Sequence, residues 1–261
     1  MRLYDTHCHL MVDPLSNVNE EVFQEAKEKE MLMNVVGFDL ASSKKAIEYS
    51  LNYDFIKACV AIHPNDVQTH NYEEVEKTFR LWCHQYQNQI VAIGECGLDF
   101  HYTKKYVDLE YKFLLMQMQI ALDFKLPLML HIRDAHYEII DFLKLHKPSV
   151  PIIFHCFSEG VEISNKILSE LKELNFYFSI PGIVTFKNAV PFQEAVKILP
   201  LEKLMVETDS PWLTPAPFRG KTNKPSYVEY TIKQIGLLKN LNPEIVAETT
   251  FKNACKIFLK K

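Results

Sequence analysis

Short apolar runs alternate with longer amphipathic stretches along the whole chain. The runs Arg2–His7, Leu32–Gly37, Ile56–His63, Ile90–Glu95, Leu126–His131, Ile152–His155, Phe176–Ile180 and Lys203–Glu207 have the length and composition of buried strands. Helical periodicity fills much of the space between them, at Glu20–Glu30, Tyr72–Gln87, Leu109–Phe124, Tyr137–His146, Ile163–Leu174 and Tyr227–Lys239. A last helix spans Pro243–Leu259, with Asn242 as its cap and proline in its first turn. With strand ends at 7, 37, 63, 95, 131, 155, 180 and 207, successive ends lie 24 to 36 residues apart, the length of one strand-helix unit. Regular β/α alternation predicts a parallel sheet with right-handed crossovers. Eight units in 261 residues predict an α/β fold, a single (β/α)8 TIM barrel over residues 1–261. An open doubly wound sheet is the competing arrangement. With only seven glycines and no glycine/serine-rich linker, one domain is expected.

Composition narrows the class without naming a chemistry. At 48% hydrophobic and 24% charged, the chain can bury a large core. Its apolar stretches are too short and too interrupted by charge to span a bilayer. No basic segment leads into an apolar one near Met1, so the expected location is cytoplasmic. The six cysteines are scattered with no C-x-x-C pair, which suits small core residues in a reducing compartment. A net charge of −4 excludes a global attraction to nucleic acid. A polyanionic substrate must then be held by a local patch or by a metal.

The chemistry sits where the strands are expected to end. His7 and His9 flank Cys8 on the first strand, and alternate strand residues share a side, so both imidazoles can reach one ion. Glu95, on a buried strand between Gly94 and Gly97, is costly unless paired or coordinating, and its two oxygens could bridge two ions. His131 and His155 each close an apolar run. Asp209 suits a ligand that also takes a proton from activated water, while Glu207, on the same side, suits orienting a histidine or a water. Imidazole and carboxylate together are the ligand set of hydrolytic metal centres. His63, before Pro64, is a candidate for contact with substrate or leaving group, with a cap as the bland reading. Arg219 and Lys221, in a glycine-containing basic loop after the last strand, suit phosphate contacts, as does Arg133 after His131. The remaining histidines, at 70, 84, 101, 136 and 146, read as ordinary solvated residues.

Taken in order, several segments resemble the TatD family of metal-dependent deoxyribonucleases, in the amidohydrolase-like group. They are Asp5-Thr-His-Cys-His-Leu10, Gly94-Glu-Cys-Gly-Leu-Asp99, His131-Ile-Arg133, His155-Cys-Phe-Ser158, the stretch 181–188, Glu207-Thr-Asp-Ser-Pro-Trp212 and Arg219-Gly-Lys221. The resemblance implies that His7, His9, Glu95 and Asp209 surround one metal and that Glu95, His131 and His155 surround a second. It also implies two divalent ions (zinc, magnesium or manganese) and cleavage of phosphodiester bonds in DNA, of the 3′–5′ exonuclease type, by a two-metal-activated water. Single-stranded ends are the expected partner, with no membrane and no obligate protein partner. Three positions depart from the family pattern: Asn65 stands where histidine is usual, Glu159 precedes Gly160, and Lys224 replaces a common acidic residue. The catalytic assignments are Asp209, Glu95 and His63. Aromatic residues that follow the strand ends, Phe100, Tyr102, Phe186, Trp212 and Phe218, are candidates for base stacking, with packing between loops as the bland reading of each. Hydrolysis of a C–N or carboxylic ester bond, in a small amide, lactone, nucleobase or aminoacyl-tRNA, is the alternative on the same ligands.

Overall fold

The computed structural model describes residues 1–259. Eight strands form one parallel sheet in chain order: β1 (Tyr4–Cys8), β2 (Leu32–Val36), β3 (Ile56–Val60), β4 (Ile90–Asp99), β5 (Leu128–Arg133), β6 (Ile152–Phe154), β7 (Phe176–Ile180) and β8 (Leu204–Val206). Helices follow them: α1 (Asn19–Glu28), α2 (Leu40–Asn52), α3 (Tyr72–Gln85), α4 (Val107–Phe124), α5 (His136–His146), α6 (Val161–Glu170), α7 (Val190–Ile198), α8 (Val228–Lys239) and α9 (Pro243–Phe258). Sequential strand order is the (β/α)8 arrangement; a doubly wound sheet reverses direction part-way. Packing divides the residues into two compact units that interleave along the chain. One takes residues up to 35, 156–165 and from 177 onward, the other 36–155 and 166–176.

In the first unit β1 pairs with β2, and β7 pairs with β8. The segment after β8 then bridges back to β1: Asp209 N donates to His7 O at 2.9 Å and His9 N to Ser210 O at 2.8 Å. In the second unit β3, β4, β5 and β6 pair in succession. Their strands are nearly all apolar, as both faces of a parallel sheet are covered. Two glycines allow unusually close approach. An ideal Cβ on Gly97 would lie 1.9 Å from His131 O on β5, and one on Gly37 2.3 Å from Ser43 Cα on α2.

Two helices lie outside the expected set. The buried face of α2 is Ser42, Ser43, Ala46, Ile47 and Ser50, too polar to show as hydrophobic periodicity. Its sequence signal is the capping box of Asp39 with Ser42, whose N–H donates to Asp39 Oδ1 at 2.7 Å. Helix α7 is short, with Phe192, Ala195 and Val196 as its buried set. Strand β4 runs to Asp99 instead of ending at Glu95, because the polar and glycine residues after Glu95 stay paired with β5. The predicted cap of α9 is present, Asn242 accepting from Glu244 N at 2.9 Å. No helix among the described residues is long and apolar enough to cross a membrane.

Candidate metal centre

The first unit carries one set of candidate ligands. His7 and His9 leave β1 with their Nε2 atoms 3.1 Å apart, and both rings are buried. Asp209 Oδ1 stands 3.3 Å from His9 Nε2 and 3.8 Å from His7 Nε2. Asp209 adopts a positive φ of 55°, which turns its carboxylate toward the β1 imidazoles while its N–H is held by His7 O. Behind the pair lies Asp5, fully buried. It accepts from Thr208 N at 2.9 Å, Thr208 Oγ1 at 2.5 Å and His7 N at 3.3 Å, tying the β1 ligands to the loop bearing Asp209. Burial raises the Asp5 carboxyl well above its ordinary value, against the pull of the Thr208 hydrogen bonds. Glu207 Oε1 accepts from Cys156 N at 2.8 Å, so it braces the backbone of the residue next to His155.

The second unit carries the other set, centred on Glu95 Oε2. That oxygen faces His131 Nδ1 at 3.4 Å, His155 Nε2 at 3.4 Å and His63 Nε2 at 3.9 Å. His131 also places Nε2 at 3.1 Å from Asp99 Oδ2, and the same oxygen accepts from Asn65 Nδ2 at 2.9 Å. His63 accepts from Asn65 N through Nδ1 at 3.1 Å. Burial, reinforced by the charge of His131, lowers the His63 pKa to about 3, so the ring is neutral near pH 7. A neutral ring that accepts at Nδ1 carries its proton on Nε2. Burial also opposes charge on His131, but hydrogen bonds with Asp99 and Glu95 outweigh it and raise that pKa. On α4 the buried Gln117 accepts from Ile62 N at 2.7 Å and donates to Ile62 O at 3.2 Å, which fixes the strand end just before His63.

Both sets pass the test of donor chemistry. Converging imidazole nitrogens and carboxylate oxygens, almost all buried, are what a divalent ion of the zinc, manganese or magnesium kind requires, and crowding acceptor atoms this closely makes sense around a cation.

The cationic residues divide by surroundings. The Arg219 guanidinium lies 3.7 Å over the Phe186 ring, and Lys221 sits 5.7 Å over Phe218. Arg133 stacks on Tyr102 at 5.0 Å and donates to its hydroxyl at 3.1 Å. Lys224 is engaged elsewhere, ion-paired to Glu25 at 2.6 Å. Of the aromatic candidates, Tyr102 and Trp212 are exposed at 69% and 49%, whereas Phe100 is buried. Trp212 lies 5.3 Å from the His9 ring.

Residues 4–259 match the family model described as TatD related DNase. The chain belongs to the TatD family. TatD-family relatives described as uncharacterized metal-dependent hydrolases include one from Mycoplasma genitalium, 46% identical over 261 residues and 99% of each chain. Another, from Bacillus subtilis, is 40% identical over 258 residues and 98% of each chain. The crystal structure of a TatD homologue from Escherichia coli superposes with a TM-score of 0.90 over 99% of this chain and 98% of its own, at 23% identity, which carries the barrel fold. Against that TatD frame, Asp5, Asn65, Asp99 and Gln117 are site residues without an assigned role in the sequence reading. Asn65 read there only as a lost histidine; it is hydrogen-bonded to both His63 and Asp99. His101 is exposed as expected, pairing at the surface with Asp134 at 2.8 Å, whereas His136 departs from the solvated reading, burial lowering its pKa to about 4.

Proposed function

We propose that this metal-dependent hydrolase of the TatD family is a deoxyribonuclease that removes nucleotides from single-stranded 3′ ends, using two divalent ions. The observation that supports the reading is Glu95 Oε2 facing His131 Nδ1 and His155 Nε2, both at 3.4 Å, a carboxylate oxygen and two imidazole nitrogens converging as they would around a cation. In this reading His7, His9 and Asp209 would hold one ion, and Glu95, His131 and His155 would hold the other. Bound there, the ions supply water activation and neutralise charge on the phosphate. The protein's own groups do the rest. Asp209 accepts the proton of the attacking water. His63, neutral and carrying its proton on Nε2, is a hydrogen-bond donor and not a ligand, so it is suited to the leaving oxygen. The stack of Arg219 on Phe186 holds its guanidinium in one plane with N–H edges free for a neighbouring phosphate, and Lys221 and Arg133 add charge. Trp212 and Tyr102 offer exposed faces for unstacked bases.

The net charge of −4 is what favours the second reading, hydrolysis of a small ester or amide by the same ligands. A fluorescent single-stranded oligonucleotide, assayed beside a panel of small esters and amides with zinc, magnesium and manganese in turn, separates the two. Release of nucleotides is expected; turnover of the panel with the oligonucleotide intact would overturn the nuclease reading.

A further inference from the structure

Asp99 is almost inaccessible and is surrounded by donors. Its Oδ1 accepts from His101 N at 3.0 Å, its Oδ2 accepts from Asn65 Nδ2 at 2.9 Å, and the same Oδ2 lies 3.1 Å from His131 Nε2. Its own N–H is given to Glu110 Oε2 at 3.0 Å. Both carboxyl oxygens thus accept from N–H donors, as the oxygens of an ionised carboxylate do. An ionised carboxylate has lone pairs and no proton. The hydrogen between Asp99 and His131 therefore belongs to His131 Nε2. A neutral imidazole protonated at Nε2 has its lone pair on Nδ1, and Nδ1 is the nitrogen that faces Glu95 Oε2 at 3.4 Å.

We propose that Asp99, braced by the Asn65 amide, is a positioning residue that locks His131 in its Nε2–H form and so aims the Nδ1 lone pair at a divalent cation beside Glu95. Only the last step rests on the metal reading above. An amide donates at every pH, so the brace does not depend on the protonation of residue 65. Rotation of the ring is also blocked, since a flip would break the Asp99 bond.

Nitrogen-15 NMR of the histidine rings tests this in metal-free protein, at a pH above the titration of His131, with the signals assigned by comparison with His131→Gln. The wild type is expected to show His131 protonated at Nε2, Asp99→Asn a shift toward the Nδ1–H form, and Asp99→Glu partial recovery. Zinc affinity, measured by competition with a chelating dye, is expected to fall 10- to 100-fold in Asp99→Asn, and less in Asn65→Ala. A wild-type ring protonated at Nδ1, or an Asp99→Asn spectrum unchanged from wild type, overturns the proposal. Should Asp99→Asn not fold, the wild-type spectrum and Asn65→Ala still decide it. If the ring behaves as expected while neither protein binds zinc, the positioning stands and the metal reading fails.

Discussion

Asp209 carries the heaviest chemical assignment of any single side chain, because it is asked both to hold an ion and to take a proton. Asn preserves its size and one ligand oxygen but removes most of its basicity. Asp209→Asn is expected to keep most of its metal by elemental analysis while kcat falls on the order of 10²- to 10⁴-fold, the usual contribution of a general base; near-wild-type turnover would remove Asp209 from that role. His136 gives a prediction about stability. Its folded pKa of about 4 lies below the ordinary 6.5, because burial disfavours the charged ring. Between those values the unfolded chain binds a proton that the folded chain does not. Stability is thus complete above pH 6.5 and declines as pH falls toward 4, at about 1.4 kcal/mol per pH unit for this one group. Urea midpoints taken across that window should flatten in His136→Gln; identical pH profiles would show that the ring is accessible to protons when folded. The metal-binding residue types at strand ends were legible in the sequence because apolar runs stop abruptly at His7, Glu95, His131, His155 and Glu207. Asp99, Asn65 and Gln117 were not, since their roles depend on which neighbour they meet across the sheet or from a helix, and no sequence interval encodes that.

At the scale of elements, the close approach of β4 to β5 matters most. Gly97 leaves no room for a Cβ against His131 O, so the backbone of β5 must move to accommodate one. Gly97→Ala is expected to cost about 1–3 kcal/mol in urea unfolding, the range for overpacking, and to weaken metal retention, because the carbonyl it displaces belongs to His131. Gly160→Ala is the contrast: its Cβ would meet Pro191 at an ordinary 3.7 Å, and a change within about 0.5 kcal/mol is expected. Equal effects of the two would mean that β4 and β5 are not held at this spacing. Period and spacing made all eight strands readable, along with most helices. The exceptions have local causes: α2 buries serines, and β4 continues through glycines that resemble a turn.

For the molecule as a whole, the proposed nuclease reading requires a chain of net charge −4 to hold a polyanion through a few local cations. Arg219→Ala and Lys221→Ala are each expected to weaken oligonucleotide binding and to reduce the slope of log affinity against log salt by about 0.7, one single-strand phosphate contact. Fluorescence anisotropy over a salt series measures this, and unchanged slopes would place the phosphates elsewhere. The barrel itself was legible from eight evenly spaced units, whereas net charge and composition could not separate a nuclease from a small-molecule hydrolase. The most direct measurement is phosphodiester turnover as metal is added stepwise to chelator-stripped protein, with a single-stranded oligonucleotide in excess. Activity is expected to be absent at the start and to rise until two equivalents are bound. Full activity before any metal is added, or none at any ratio with any of the three ions, would contradict the account.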